Sequence, residues 1–239
     1  MKEMWDKKAA SYTRFTGEPS VFQRGLYAKI AEFGVKFEGK SVVDIGCGTG
    51  VHTLFLAQIC REITGMDISG EMLKVMVEDA AKFNISNLTA VQSDFKNFNP
   101  NRVYDVAFST MSPAIADEED FVKFINLGEK RVYLWWNKPR YSSVLELFYE
   151  GSEKRCFKEK TNFFEEYLRR KNIAFNSYVL EESREQKRTL EEMTQNALWH
   201  LQIANFTYDE KAIGSRLESI AQDGFVTEKI VSSMKLLVF

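Results

Sequence analysis

The run Ser41-Val42-Val43-Asp44-Ile45-Gly46-Cys47-Gly48-Thr49-Gly50 narrows the possible folds of this chain more than any other segment. Val42, Val43 and Ile45 favour a short buried strand. Three glycines at alternate positions then allow a sharp turn and a close approach of the backbone to a ligand. From Val51 to Cys60 apolar residues recur at helical spacing, so the turn feeds a helix. The first N–H groups of such a helix are free for polar or anionic ligand atoms. Strand, glycine turn and helix in this order point to a nucleotide-type cofactor. The structural alternative, a bare turn without a ligand, leaves the acid and three glycines as coincidence.

The charge at Asp44 selects among nucleotides. The dinucleotide fingerprint G-x-G-x-x-G is one residue longer than the pattern here, and Asp44 stands two residues before the first glycine. A carboxylate there repels the pyrophosphate of a nicotinamide cofactor. It suits S-adenosylmethionine, which offers an α-amino group and a sulfonium and no phosphate. The segment Asp44-Ile45-Gly46-Cys47-Gly48-Thr49-Gly50 resembles motif I of the class I S-adenosylmethionine-dependent methyltransferases. That resemblance implies that Asp44 and the backbone of Gly46, Cys47, Gly48 and Gly50 hold the methionine portion of the cofactor.

Two more strand ends follow in register. Arg61 to Ser69 reads as a strand ending in Asp67, at the spacing where a Rossmann acid binds ribose hydroxyls. A carboxylate with two acceptor oxygens suits a vicinal diol. Capping of the next helix is the alternative role, which Ser69 fills equally well. The family resemblance implies that Ile68 flanks the adenine. Leu88 to Phe95 alternates like a third strand and again ends in an acid. By the same resemblance Asp94 accepts from the adenine amino group and Phe95 lies on the ring. A fourth strand, 103–110, runs through Ser109 into Met111-Ser112-Pro113-Ala114-Ile115. The resemblance implies that Ser109 and this loop face the cofactor and the substrate. Asp105, at the start of that strand, lies away from the carboxyl ends where ligands bind and reads as structural.

Alternating elements predict an α/β fold, a Rossmann-like seven-stranded mostly parallel sheet with helices on both faces. The expected order is strand 41–46, helix 50–60, strand 62–68, helix 70–84, strand 88–94, strand 103–110, helix 117–127 and strand 130–136. A strand at 173–181, helices near 189–202 and 209–223, and a final strand at 226–239 complete it. By resemblance that last strand is antiparallel. One domain over 1–239 is expected, since no linker, repeat or low-complexity tract interrupts the chain.

Met4, Trp5, Ala9 and Tyr12 share one helical face, and Trp5 to Tyr12 resembles the leader helix of ubiquinone/menaquinone-biosynthesis-type methyltransferases. There the segment closes over the site, which makes residues 1–38 an expected helical lid and Tyr12 a cofactor contact. A plain amphipathic helix packed on the core is the alternative. Trp135 and Trp136 point to opposite faces of their strand, one of them toward a substrate pocket. Residues 138–172 read as a mostly helical insertion over that pocket, with Lys154, Arg155, Lys158 and Lys160 as a solvated face.

A net charge of −2 argues against a general nucleic-acid binder. Cys47, Cys60 and Cys156 form no C-x-x-C pair, which fits a reducing compartment. His52 and His200 are too few for a His-rich metal site, and no metal is expected. No apolar run reaches membrane-spanning length, so a cytoplasmic protein without a membrane partner is expected. The resemblance thus implies methyl transfer from S-adenosylmethionine, while the aromatic residues of 138–172 and the absence of a basic excess point to a small, partly apolar acceptor. Tyr12 and His52 stand as candidate bases, and no catalytic residue is assigned. An RNA or protein acceptor, another group transfer with the same cofactor, and a non-catalytic cofactor sensor are the alternatives.

Overall fold

The computed structural model describes residues 2–149, 160–204 and 206–239. Two compact units divide the chain: one of Met1–Trp135, Lys160–Val179 and Lys235–Phe239, the other of Trp136–Glu159 and Leu180–Met234. The sequence shows no linker because each unit is assembled from interleaved segments rather than from one continuous stretch.

The first unit begins with α1 (Lys2–Ala9) and α2 (Val21–Glu32). Ser20 starts α2 by accepting from the Gln23 N–H, while the Gln23 side chain accepts from the Ser20 N–H. This reciprocal cap satisfies two donors that a helix start otherwise leaves open. A parallel sheet follows, built from β1 (Ser41–Ile45), β2 (Glu62–Asp67), β3 (Leu88–Gln92), β4 (Tyr104–Thr110) and β5 (Gly128–Trp136). Helices α3 (Val51–Ala57), α4 (Gly70–Lys82) and α5 (Glu118–Leu127) connect them.

Pairing runs β3-β2-β1-β4-β5, all parallel. The order reverses between β1 and β4, which is where an open α/β sheet leaves a crevice at its carboxyl ends. All five residues of β1 are buried, because helices cover both faces of a central parallel strand. At the opposite end Asp105 accepts from the Ser41 N–H and hydroxyl, each at 2.7 Å, which holds its carboxyl down at about 2. Its structural role is thereby accounted for.

An aromatic core fills the other side of this unit. Helix α7 (Lys160–Arg170) places Phe164 flat on Phe121, with ring centres 4.1 Å apart, and Phe124, Tyr133 and Phe239 surround the pair. The described part of the expected 138–172 cover is therefore partly a core element. Lys154, Arg155 and Lys158 lie outside the described residues. Trp135 packs against this core, with the Lys160 ammonium 4.9 Å from its ring centre, and Trp136 belongs to the second unit. At the chain end Phe239 and Arg131 exchange reciprocal backbone bonds of 2.8 and 3.1 Å, an antiparallel pairing beside β5.

The second unit contains β6 (Tyr141–Ser142), α6 (Glu146–Tyr149), α8 (Leu190–Ile203), α9 (Glu210–Glu218) and most of β7 (Asn176–Thr189) and β8 (Phe225–Val238). β6 and β8 are antiparallel. Among the described residues the chain forms eight strands, against seven expected; the two-residue β6 is too short to read from periodicity. Its own apolar cluster joins Val144, Leu145, Met193, Leu201, Ile213 and Leu217. No helix among the described residues is long and apolar enough to cross a membrane.

Candidate functional site

The glycine turn is held in a shape that only glycine adopts readily. Gly46, Gly48 and Gly50 have φ of 72°, 56° and 79°, the left-handed region that costs other residues about 1–2 kcal/mol. The Gly46 and Cys47 N–H groups donate to the Met66 carbonyl at 2.7 and 3.0 Å, which ties the turn to the end of β2. A Cβ on Gly46 would stand 1.8 Å from the Ser112 hydroxyl, so the turn and the loop after β4 meet without a side chain between them.

Three carboxylates stand at the ends of β1, β2 and β3. Asp44 is 2% exposed and accepts from the Thr53 hydroxyl at 2.6 Å. Burial, opposed by that bond and reinforced by the Asp67 charge, pushes it up to about 7. Asp67 accepts from the Gly48 N–H through one oxygen and from the Ser69 N–H through the other, both at 2.9 Å. Burial raises it from its ordinary value, against those two bonds. Asp94 accepts from the Asn97 N–H at 2.8 Å and from its side-chain amide at 2.7 Å, and these bonds lower it. The three acids therefore differ: Asp44 is short of partners, Asp67 is aimed by backbone, and Asp94 closes a turn.

All three line one cavity of about 590 Å³, within the size range of small-ligand sites. Gly46, Cys47, Gly48, Ile68 and Phe95 border it as well, with Tyr12 on the leader. Gly50 and Ser109, both expected at the site, do not. Gly50 caps α3, with its carbonyl accepting from Leu54 and its Cα against Met76. Ser109 is fully buried and donates to the Ile45 carbonyl at 3.0 Å, joining β4 to β1. Both faces of β4 are buried, so alternation along it carries no mark of which side chains meet the ligand. Trp135 is likewise absent from the wall.

Residues beyond the expected set also form the wall. Trp5, Thr13, Ser93, Thr110 and the loop Met111–Ala114 border the cavity. Met111 has a φ of 52°, uncommon for a residue with a long side chain and typical of functional turns. The leader is latched at three places. Asp6 accepts from the Ser69 hydroxyl at 2.6 Å, Thr49 donates to the Thr13 carbonyl at 2.6 Å, and Arg14 pairs with buried Asp79 at 2.7 Å. The Asp6 partner is the cap of α4, so that short polar sequence was a usable signal for a docking point. Desolvation and then the Asp67 charge raise the Tyr12 phenol, although 39% of the residue is accessible. His52 lies on the wall with its Nδ1 2.8 Å from the Tyr27 hydroxyl. Burial pushes it down to about 4, so it is neutral at neutral pH.

The architecture is shared with solved structures. The YcgJ protein of Bacillus subtilis aligns over 90% of this chain and 97% of its own, with a TM-score of 0.56 and 12% identity. Residues 42–127 match the family model described as a methyltransferase domain. Residues 42–127 form a methyltransferase domain. The match spans β1 to α5, which supply Asp44, Asp67 and Asp94. It begins after the leader, so the likeness to the ubiquinone/menaquinone type rests on residues 5–12 alone. An uncharacterized protein of Haemophilus influenzae is 29% identical to this chain over 133 residues, 54% of the chain and 48% of that protein. Pavine N-methyltransferase of Thalictrum flavum is 30% identical over 94 residues, 38% of the chain and 26% of the plant protein. The chain thus spans about half or less of the length of these relatives. Other relatives are named as RNA methyltransferases.

Proposed function

We propose that this protein transfers a methyl group from S-adenosylmethionine to a small, partly apolar molecule. The observation that carries the reading is Asp44. A buried carboxylate with one hydroxyl partner, raised to about 7 beside a glycine turn, is an incomplete site that a cationic group would complete. An α-ammonium bonded to Asp44 fits that chemistry, and the bare backbone of Gly48 leaves room for it. Asp67, with both oxygens already oriented by backbone N–H groups, would take the ribose diol. Asp94 and Phe95 would border the adenine.

Bound S-adenosylmethionine supplies an electrophilic methyl on a sulfonium. The chain's residues then have to hold, align and exclude water rather than activate. Neutral His52 and the raised phenol of Tyr12 are poor bases, which favours an acceptor already nucleophilic at neutral pH. The apolar wall from Trp5, Met111, Pro113 and Ala114 supports a compact acceptor, as does the N-methyltransferase named among the relatives. Free Cys47 and Cys60 accord with the reducing, cytoplasmic setting that we propose.

Calorimetric titration with S-adenosylhomocysteine, with NAD as control, tests the cofactor. Micromolar binding of the first and none of the second is expected. Folded protein that binds neither ends the reading. Strong, salt-sensitive RNA binding would instead replace the small acceptor with a nucleic acid.

A further inference from the structure

A second groove lies in the first unit, apart from the cavity lined by the three acids. Helices join β1 to β2, β2 to β3 and β4 to β5, whereas residues 93–103, which join β3 to β4, contain none. A crossover between parallel strands usually carries a helix that covers the sheet. Here the 98–103 segment and α5 instead border a groove of about 410 Å³. Its floor is apolar, with Phe98 and Leu127 buried and Val103 61% exposed. It shares no residue with the wall of the first cavity.

The rim is cationic. Arg102 and Lys123 line the groove, and no acid does. The half-buried Lys123 ammonium donates to the Lys96 carbonyl at 2.7 Å and to the Asn99 side-chain oxygen at 3.2 Å. Both acceptors are uncharged, and an ammonium has a third N–H to give. Lys123 forms no ion pair with a described residue: Asp120 and Asp94 act on it only from a distance, and desolvation lowers it from its ordinary value. Arg102 lies 4.7 Å from the Tyr104 ring centre and reaches Glu62 at 2.8 Å. Arg61 shares Glu62, and Arg61 and Lys40 share Asp105. Three cations thus meet two carboxylates among the described residues, and positive charge is left over on this side as well.

A carboxylate beside an apolar side chain complements such a surface. Because Val103 is open to water, the groove suits a segment laid across it rather than a small molecule enclosed by it. Nucleic acid fits less well: it is held by several phosphate contacts and by stacked bases, and Phe98, 5% exposed, offers no ring face. We propose that this groove docks an acidic, apolar segment of a partner protein, with a carboxylate on Lys123 and an apolar side chain on Val103. The surface is separate from the cofactor cavity and does not depend on the reading given to it.

The probe is a capped pentapeptide of alternating leucine and glutamate, titrated into protein with ¹³C-labelled valine and leucine methyl groups. Peptide at about 1 mM should shift the signals of Val103 and Leu127. The same peptide with glutamine in place of glutamate should bind about fivefold more weakly. Lys123→Met should lose a similar factor, and Val103→Ser, at an exposed position, about twofold to threefold. Val103→Ser keeps the test open if Lys123→Met does not fold. No shift at these methyls up to about 10 mM peptide, equal binding of the two peptides, or unchanged affinity in a variant that melts like the parent overturns the proposal. A short oligouridylate that shifts the same methyls at lower concentration than the peptide also overturns it, in favour of a nucleic acid. S-adenosylhomocysteine affinity should be the same in Val103→Ser as in the parent, so failure here leaves the cofactor reading standing.

Discussion

Two of the buried carboxylates, one in each unit, are treated in opposite ways. Glu228, in the second unit, is 0% exposed and fully provided for: Ser142 donates to it at 2.5 Å, Arg188 at 2.8 Å, and Arg140 lies 3.6 Å away. Asp44, in the first unit, is 2% exposed and has one hydroxyl. A completed network holds a structure together, whereas a carboxylate left without a cation is a place for something to bind. Glu228 therefore reads as structural and Asp44 as ligand-directed, although the sequence shows only two acids in apolar surroundings.

The largest expected effect tests the completed network. Glu228→Ala leaves two guanidinium groups without their carboxylate and should cost about 3–5 kcal/mol in denaturant unfolding, with S-adenosylhomocysteine affinity unchanged in whatever fraction folds. A loss below about 1 kcal/mol would remove the contrast.

Asp44→Asn should act in the opposite direction on stability. The folded value near 7 lies above the ordinary 3.8, so the neutral form suits the fold. The stability contributed by that form is fully present below about pH 4. It is lost as pH rises through about 7. The asparagine variant should flatten this part of the melting profile and stabilise the ligand-free protein at pH 8 by on the order of 2 kcal/mol, while abolishing ligand binding. A parent profile that rises between pH 4 and 7 would contradict the assignment.

Asp67→Ala should weaken S-adenosylhomocysteine by about 1–3 kcal/mol, through lost charge-assisted bonds. Unchanged affinity by calorimetry would take Asp67 out of the site. The smallest change is expected at Asp94→Asn, below about 1 kcal/mol, because the asparagine keeps an oxygen that accepts from a ligand N–H. A larger loss would move Asp94 into the class of Asp44.

Much of the first unit was legible before folding. The strand-ending acids and the glycine turn were readable because each follows a run of β-branched residues, and every core element from 41 to 136 appears within a few residues of its expected place. The start of α2 carries a local mark too, the Ser20-x-x-Gln23 cap, although no separate helix was expected there. Ser109 shows where such reading ends. In a strand buried on both faces, periodicity gives no direction, and the hydroxyl went to the Ile45 carbonyl instead of the ligand.

Local chemistry in the sequence determined the turn that needs glycine, the strands and helices around it, and the acids at their ends, since these depend on neighbouring residues. The tertiary structure alone decided which groups complete one another. Tyr27 meets His52 across 25 positions, Asp6 meets Ser69 across 63, and Ser142 meets Glu228 across 86. Burial and hydrogen-bond supply set the raised value of Asp44 and the full partnering of Glu228. Both quantities come into being only when distant segments pack together.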